Sequence, residues 1–188
     1  MLVEVAMILP ILMVISLAVL ELGMGWKASI TVSSATRSGA RVASNLGRSL
    51  GSDQQSLLAV SAALRNIPAD QVERVVIFRA TGASGTVPAA CLNATALSVG
   101  GSTTGKCNVY TGAELNNLSS MSFSSCTGRH KYWCPTDRIN LQSAATGLDW
   151  VGVYIKVNLA ASTSLFGTTV GIDDTTIMRI EPNAGNES

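Results

Sequence analysis

Residues 2–23 read LVEVAMILPILMVISLAVLELG, and the architecture of the chain follows from them. The segment is apolar except for Glu4 in its first turn and Glu21 near its end. About 20 apolar residues are enough to cross a bilayer as a helix, whereas a helix buried in a soluble core would normally show a polar face. Pro10 removes one helical hydrogen bond, which membrane helices tolerate where neighbours pack against them. We therefore predict a transmembrane helix over residues 1–26.

Helix potential continues beyond this segment, through residues 27–50. This stretch lacks proline, although Gly23 and Gly25 just before it are where a local break would be expected. Small or apolar residues recur at helical spacing, at Ala28, Val32, Ala35, Gly39, Val42 and Leu46. A helix from Leu2 to Leu46 would be nearly 70 Å long, so we predict a helical stalk that leaves the membrane. Its small residues would let another helix approach closely, but an ordinary amphipathic helix accounts for the pattern equally well.

The remaining residues, 51–188, are predicted to form an extracytoplasmic α+β domain. Ser52 or Asp53 could cap a second helix over Gln54–Arg65. Runs of β-branched or alternating apolar residues predict three strands, at Val72–Arg79, Trp150–Leu159 and Thr175–Glu181, with Asp173 and Asp174 in a turn before the last. A long helix, a short helix and then a small antiparallel sheet indicate the α+β class.

Four cysteines, at positions 91, 107, 126 and 134, lie within the turn-rich loops of residues 81–140. An even number in a region rich in Gly, Ser and Thr indicates two disulfides and an oxidising compartment. Short loops close at the lowest entropic cost, which favours Cys91–Cys107 and Cys126–Cys134 among the three possible pairings. A zinc site is disfavoured because no Cys-x-x-Cys pair occurs and His130 is the one histidine. We expect no metal and no cofactor.

The charges of the chain bear on its partners and its orientation. A formal charge of +1 and 13% charged residues predict no large basic surface for nucleic acid. Lys27, Arg37, Arg41 and Arg48 all follow the apolar span, and positive residues usually stay in the cytoplasm. The disulfides require the opposite orientation. Removal of a basic leader would resolve this conflict, and we expect the domain outside the cytoplasm.

Three stretches of the chain resemble the TadE-like family, the pseudopilins or minor pilins of tight-adherence pili, which are related to type IV pili. Residues 2–23 are similar to the opening of the family, with Val-Glu-x-Ala, then Leu-Pro, then Glu-x-Gly. Residues 35–44, ATRSGARVAS, resemble its Ala/Arg-rich continuation. Residues 175–182, TTIMRIEP, resemble its closing strand. The cysteine-rich middle of the chain matches no family pattern.

The resemblance implies a role in assembly for Glu4, Pro10 and Glu21. In such subunits a prepilin peptidase cuts a short basic leader after a glycine, and a glutamate at the fifth mature position supports assembly. Glu4 corresponds to that glutamate, one position earlier. In lipid its carboxylate could be neutralised by an N-terminal ammonium of its own chain or of a neighbour. Alternatively its side chain could extend to the membrane surface.

Candidate chemistry outside the helix is sparse. No serine lies in Gly-x-Ser-x-Gly, and a single histidine makes a catalytic triad improbable, so we predict that the protein is not an enzyme. The loop RHKYW places potential cations beside aromatic rings within the Cys126–Cys134 segment. It could form an exposed patch that binds a surface, consisting of Arg129, His130, Lys131, Tyr132 and Trp133. Such a loop is more often solvated charge with its aromatic rings packed beneath.

Two functions follow from these patterns. The first is a structural pilin-like subunit that inserts in the cytoplasmic membrane and then assembles with other pilin or pseudopilin subunits at the cell surface. The second is a membrane-anchored binding or adhesion module that does not polymerise, with the disulfide loop as its recognition surface.

Overall fold

The computed structural model describes residues 2–93, 102–103, 106–128, 130–141, 147–161 and 167–182, and the backbone alone at residues 2–4 and 102–103. Helix α1 runs from Leu2 to Leu46 without interruption, through Pro10, Gly23 and Gly25. The predicted continuation of the apolar helix into residues 27–46 is therefore confirmed, and the two glycines cause no break. At 1.5 Å per residue the helix is about 66 Å long.

The two halves of α1 have different surroundings. Large apolar side chains of the first half are exposed, Val5 to 59% and Leu20 to 54%. From Ala28 onward one face is buried, and Val32 and Ala35 are fully covered. The predicted stalk thus packs against the rest of the domain and supplies part of its core.

Helix α2 spans Ser52–Ala63 and packs beside α1. Gly47 ends α1 with a φ of +46°, a conformation that glycine adopts without strain. The predicted N-cap was wrong: Gly51 holds that position, and no side chain caps the helix. Ser52 and Asp53 are instead buried inside the domain, where both bond to Arg138. With Gly51 as its N-cap, the helix begins at Ser52, two residues before the predicted start at Gln54.

A five-stranded sheet packs against these helices, with every neighbouring pair antiparallel. Its order is β2 (Ser102–Thr103), β3 (Cys107–Tyr110), β1 (Val72–Ala80), β4 (Trp150–Ala160) and β5 (Thr169–Arg179). The predicted α+β fold is confirmed, and each predicted strand is present. The short strands β2 and β3 were not predicted, because they lie in the turn-rich region without a periodic pattern.

Strand β5 begins six residues before the predicted start at Thr175. Asp173 and Asp174 therefore lie inside the strand, and the predicted turn at these positions was wrong. Asp173 aligns with Lys156 of β4, and Asp174 Oδ2 accepts a hydrogen bond from Thr36 Oγ1 at 2.7 Å. Opposite charge and a hydrogen bond offset the poor strand propensity of two adjacent aspartates.

The sheet buries both of its faces. On one face Val75, Ile77, Val153 and Ile155 pack against α1 and α2, whereas Val76, Phe78 and Val109 form the opposite face. The second face is covered in part by the short helix α3 (Ala89–Leu92), which carries Cys91. Helix α4 (Gly112–Leu115) follows β3 and begins with a capping box between Thr111 and Glu114.

Candidate functional site

Helix α1 and strand β5 run in the same direction, which gives the domain two distinct ends. Thr36 contacts Asp174, and Ser44 Oγ donates a hydrogen bond to the carbonyl of Arg179 at 2.5 Å. Val170, at the start of β5, lines a cavity together with Glu21 of α1. The apolar half of α1 therefore projects from the end of the domain where β5 begins, which we term the anchor end. The far end lies where β5 finishes, at Arg179.

The projecting segment of α1 is the first element of the candidate site. It is the one helix, among the described residues, that is long and apolar enough to cross a membrane. Pro10 lies inside it and is exposed. Glu4 lies in its first turn, but the side chain of Glu4 is outside the described residues. Its expected pairing stays a prediction.

Glu21 occupies the junction between the projecting segment and the domain. Its exposure is only 9%, and it lines a cavity of about 220 Å³ with Leu159 and Val170 at the anchor end. Glu21 is therefore one of the buried charged residues of the domain, at the level where Leu159 of β4 and Val170 of β5 line the same cavity.

The outward face of α1 stays apolar beyond this junction. Trp26 and Ile30 are exposed to 73% and 57%, and they lie on one side of the helix, four residues apart. Arg37 and Arg41 continue the same side and are exposed. The outward face thus changes from apolar near the anchor end to basic toward the far end.

The inward face of α1 depends on small residues. Ser56 Oγ of α2 donates a hydrogen bond to the carbonyl of Gly39 at 2.8 Å. A Cβ at Gly39 would lie 2.6 Å from Val60 Cγ2, closer than real Cβ contacts allow. The predicted small-residue face of α1 thus permits a close contact with α2 of the same chain.

Both disulfides have the pairing that short loop closure favours, Cys91–Cys107 and Cys126–Cys134. The first joins α3 to the start of β3. The second closes the loop that contains the RHKYW sequence. The first bond thus ties a poorly periodic segment to the sheet and the second constrains a local loop, which agrees with the role of disulfides in domains whose core is small.

The structure does not assemble the RHKYW loop as one exposed patch. His130 is fully buried and Trp133 is exposed to only 3%. Lys131 is exposed, Tyr132 is half-buried, and Arg129 lies outside the described residues. The exposed patch is therefore wrong at His130 and Trp133, which pack inward. Trp133 fits the alternative, in which the aromatic rings of the loop pack beneath its solvated charge.

The inward-facing residues of this loop border a buried ionic cluster that was not predicted. Arg138 pairs with Asp53, and both side chains are fully buried. Asp53 Oδ2 also accepts hydrogen bonds from Asn108 Nδ2 at 2.8 Å and from Tyr110 OH at 3.1 Å. The Arg138 guanidinium lies 4.3 Å from the centre of the Trp133 ring. The cluster links α2, β3 and the disulfide loop.

His130 lies beside this cluster, stacked on Phe123 with 5.4 Å between ring centres. Neither of its ring nitrogens has a hydrogen-bond partner within the described part of the chain. Burial lowers the pKa of His130 below its ordinary value of 6.5; the Asp53 carboxylate opposes this and the Arg138 guanidinium adds to it. A buried neutral imidazole with no adjacent nucleophile has the character of a packing residue.

The described residues contain no group of three or more His, Cys, Asp or Glu side chains that could hold a metal ion. The distinctive features are instead a projecting apolar helix, a junction that buries a glutamate, and a disulfide-linked α+β domain. Helix α1 thus supplies both the membrane-compatible segment and part of the domain core.

A family model described as TadE-like protein matches residues 1–41. The match covers the projecting segment, the Glu21 junction and the part of α1 that contains Gly39. The resemblance to the TadE-like family predicted from the sequence is therefore confirmed over these residues. No match to the chain was found among curated proteins or among solved structures.

Proposed function

We propose that this chain is a structural subunit of a tight-adherence pilus, a pilin-like subunit or minor pilin without catalytic activity. The observation that carries the proposal is the division of α1 into an exposed apolar half and a half that belongs to the domain core. The match to the TadE-like family supports it, because the matched residues 1–41 include most of this helix.

The physical basis is a change of apolar environment. Before assembly the projecting segment lies in the cytoplasmic membrane, with the domain outside the cytoplasm where its disulfides form. In a filament the same segments pack against those of other pilin or pseudopilin subunits, so their apolar surface leaves lipid for a core of helices. A prepilin peptidase is the further partner that this function implies.

The role proposed for Glu4 is to pair with an N-terminal ammonium when the helices pack. Glu4→Ala lowers the cost of placing the helix in lipid but removes the partner of that ammonium in the assembled state. Removing one member of a buried pair costs about 3–5 kcal/mol, against near zero for an exposed pair. We expect Glu4→Ala to accumulate in the membrane and to be depleted from filaments or assembly complexes, measured as the ratio of assembled to membrane-bound protein.

A matched control is Ser16→Ala, since Ser16 also lies in the projecting segment and, within the described part of the chain, its hydroxyl donates to the carbonyl of Met13. This variant should assemble normally. Glu21 is unsuitable as a control because it is buried at the junction. Normal incorporation of Glu4→Ala would remove the role assigned to this carboxylate.

A further inference from the structure

A cavity of about 660 Å³ opens at the far end of the domain, where β1 finishes and β4 begins. It lies beside Trp150, which aligns with Arg179 at the end of β5. Met24 of α1 lies at the anchor end and Ser44 lies beside Arg179 at the far end. At 1.5 Å per residue, the two ends are about 30 Å apart along the helix. The volume is within the range of about 300–1,000 Å³ typical of small-molecule sites. The cavity thus faces away from the membrane and is large enough for one or two sugar rings.

The charge of this cavity is positive. Arg79 and Lys106 line it, and the backbone N–H of Arg79 donates to the carbonyl of Lys106 at 2.8 Å, so the two cations arise from neighbouring positions. Asp149 is the one acidic side chain among the described residues that line it. Its Oδ1 accepts from Arg79 at 2.8 Å and its Oδ2 from the Ile139 N–H at 2.8 Å. Asp149 therefore orients Arg79, and the exposed Lys106 has no ion-pair partner among the residues that the structure describes.

The other polar and aromatic groups of the cavity suit a hydroxyl-rich ligand. Thr81 and Thr86 are exposed in its wall, and their hydroxyls can both donate and accept hydrogen bonds. Trp150 is half-buried and offers an aromatic surface, with the Arg179 guanidinium 5.9 Å from its ring centre. Aromatic rings contact the apolar faces of sugars, while cations bind their carboxylates.

We propose that this cavity binds an acidic sugar residue of a polysaccharide. Arg79 and Lys106 receive the carboxylate, Trp150 contacts the sugar ring, and Thr81 and Thr86 bond to its hydroxyls. The site needs only a folded domain, so it holds for an anchored chain whether or not the chain assembles into a filament.

The Cys91–Cys107 disulfide gives this site a defined shape. Cys107 directly follows Lys106, and Cys91 is in the helix that begins after Pro88, another residue of the cavity wall. The bond therefore holds two sides of the cavity at a fixed separation. Preorganised side chains lose less conformational freedom when a ligand binds.

The test uses the full chain in nanodiscs of phosphatidylcholine and isothermal titration calorimetry. The probes are a trisaccharide of galacturonic acid, the neutral trisaccharide of galactose, and inorganic phosphate. We expect saturable binding of the acidic trisaccharide alone, weakened by salt because the cations are near the surface. Lys106→Gln should weaken it about tenfold, whereas Lys131→Gln, an equal charge change outside the cavity, should leave it unchanged.

Four results would overturn the proposal. Equal binding of the acidic and neutral trisaccharides, or no saturable binding of either, would exclude recognition of an acidic sugar. Phosphate binding as tight as that of the acidic trisaccharide would indicate a simple anion site. Unchanged affinity in Lys106→Gln would place the ligand elsewhere. Because Lys106 is exposed, this variant is expected to fold, and its far-ultraviolet circular dichroism verifies that.

Discussion

Asp53 and Arg138 form an ion pair in which neither side chain is exposed to solvent, across a sequence separation of 85 residues. Asn108 and Tyr110 complete the hydrogen bonding of the carboxylate, and Ser52 Oγ accepts a further bond from the guanidinium at 3.2 Å. The pair joins the beginning of α2 to the segment after the Cys126–Cys134 disulfide. A buried charge without its partner is costly, so this contact ties two distant parts of the chain to one geometry.

Asp53→Ala should therefore lower the free energy of unfolding by about 3–5 kcal/mol, because it leaves the Arg138 guanidinium buried and uncompensated. The measurement is urea unfolding of the detergent-solubilised chain, followed by tryptophan fluorescence. Asp70→Ala is the control, since Asp70 is exposed and its loss should change stability by no more than about 0.5 kcal/mol.

A double variant tests whether the loss in Asp53→Ala comes from the unpaired charge of Arg138. Asp53→Leu combined with Arg138→Met replaces both ions with apolar groups, and such replacements are often close to neutral. The double variant should be more stable than Asp53→Ala. If Asp53→Ala were no less stable than Asp70→Ala, the ion pair would make no measurable contribution to the free energy of unfolding.

His130 should make stability depend on pH. Its pKa is lowered in the folded protein by burial, so the folded state keeps the ring neutral while the unfolded chain takes up a proton below its ordinary pKa of 6.5. The unfolded state then binds more protons, and stability falls as the pH drops below about 6.5, by at most about 1.4 kcal/mol per pH unit from this one group. Above that pH the contribution is constant. The measurement is the urea midpoint at pH 7.5 and at pH 5.5.

His130→Leu is the matched variant for this effect, because it keeps an apolar side chain of similar size and cannot titrate. Its urea midpoint should change less between the two pH values. Carboxylates such as Glu73 act alike in both proteins: burial would raise the pKa of Glu73, but hydrogen bonds from Lys156, Arg74 and Asn158 lower it overall. An identical pH dependence in wild type and His130→Leu would contradict a buried neutral imidazole.

Gly39→Ala should destabilise the domain by about 1–3 kcal/mol, because the new methyl group would overlap Val60 in the contact between α1 and α2. Adding Val60→Ala should recover part of the loss by opening space on the facing helix. Gly51→Ala is the control, since nothing lies within 4 Å of its Cβ position and its φ is −77°. Equal unfolding midpoints for Gly39→Ala and Gly51→Ala would show that the close approach is unnecessary.

The cysteines should be oxidised in two local pairs in protein isolated from its native membrane. Peptide mapping without reduction should recover one cross-linked peptide that contains Cys91 and Cys107 and another that contains Cys126 and Cys134. This outcome would support a domain outside the cytoplasm. Free thiols at all four positions would contradict that location, and crossed pairs would contradict the described loop structure.

Several elements could be predicted because their signals are local in the sequence. The uninterrupted apolar run and the spacing of small residues predicted α1, and the alternation of apolar residues predicted strand β4, although β4 is buried on both faces over much of its length. The projecting helix of the candidate site belongs to this group. Membrane compatibility depends on composition and length, which neighbours in space do not alter.

Other features were decided by the tertiary structure. Asp53 looked like a helix cap because cap preference is local, yet Arg138 provides a stronger partner that only the fold brings near. Glu21 lies near the end of the apolar run, but in the fold it is buried and lines a cavity with residues of β4 and β5. For the RHKYW loop the sequence left two alternatives, an exposed patch and aromatic rings packed beneath solvated charge. The fold places His130 against Phe123 and Trp133 against Arg138.

Local patterns thus predict α1, α2, the three long strands and the membrane-compatible segment, because their signals depend on residues close together along the chain. The short strands β2 and β3 carry no such pattern. Only the fold brings Asp53 to Arg138, places Arg79 and Lys106 at one cavity, and packs Gly39 against Val60. The physical reason is that the cost of burying a charge, and the space left for a methyl group, depend on partners distant in sequence.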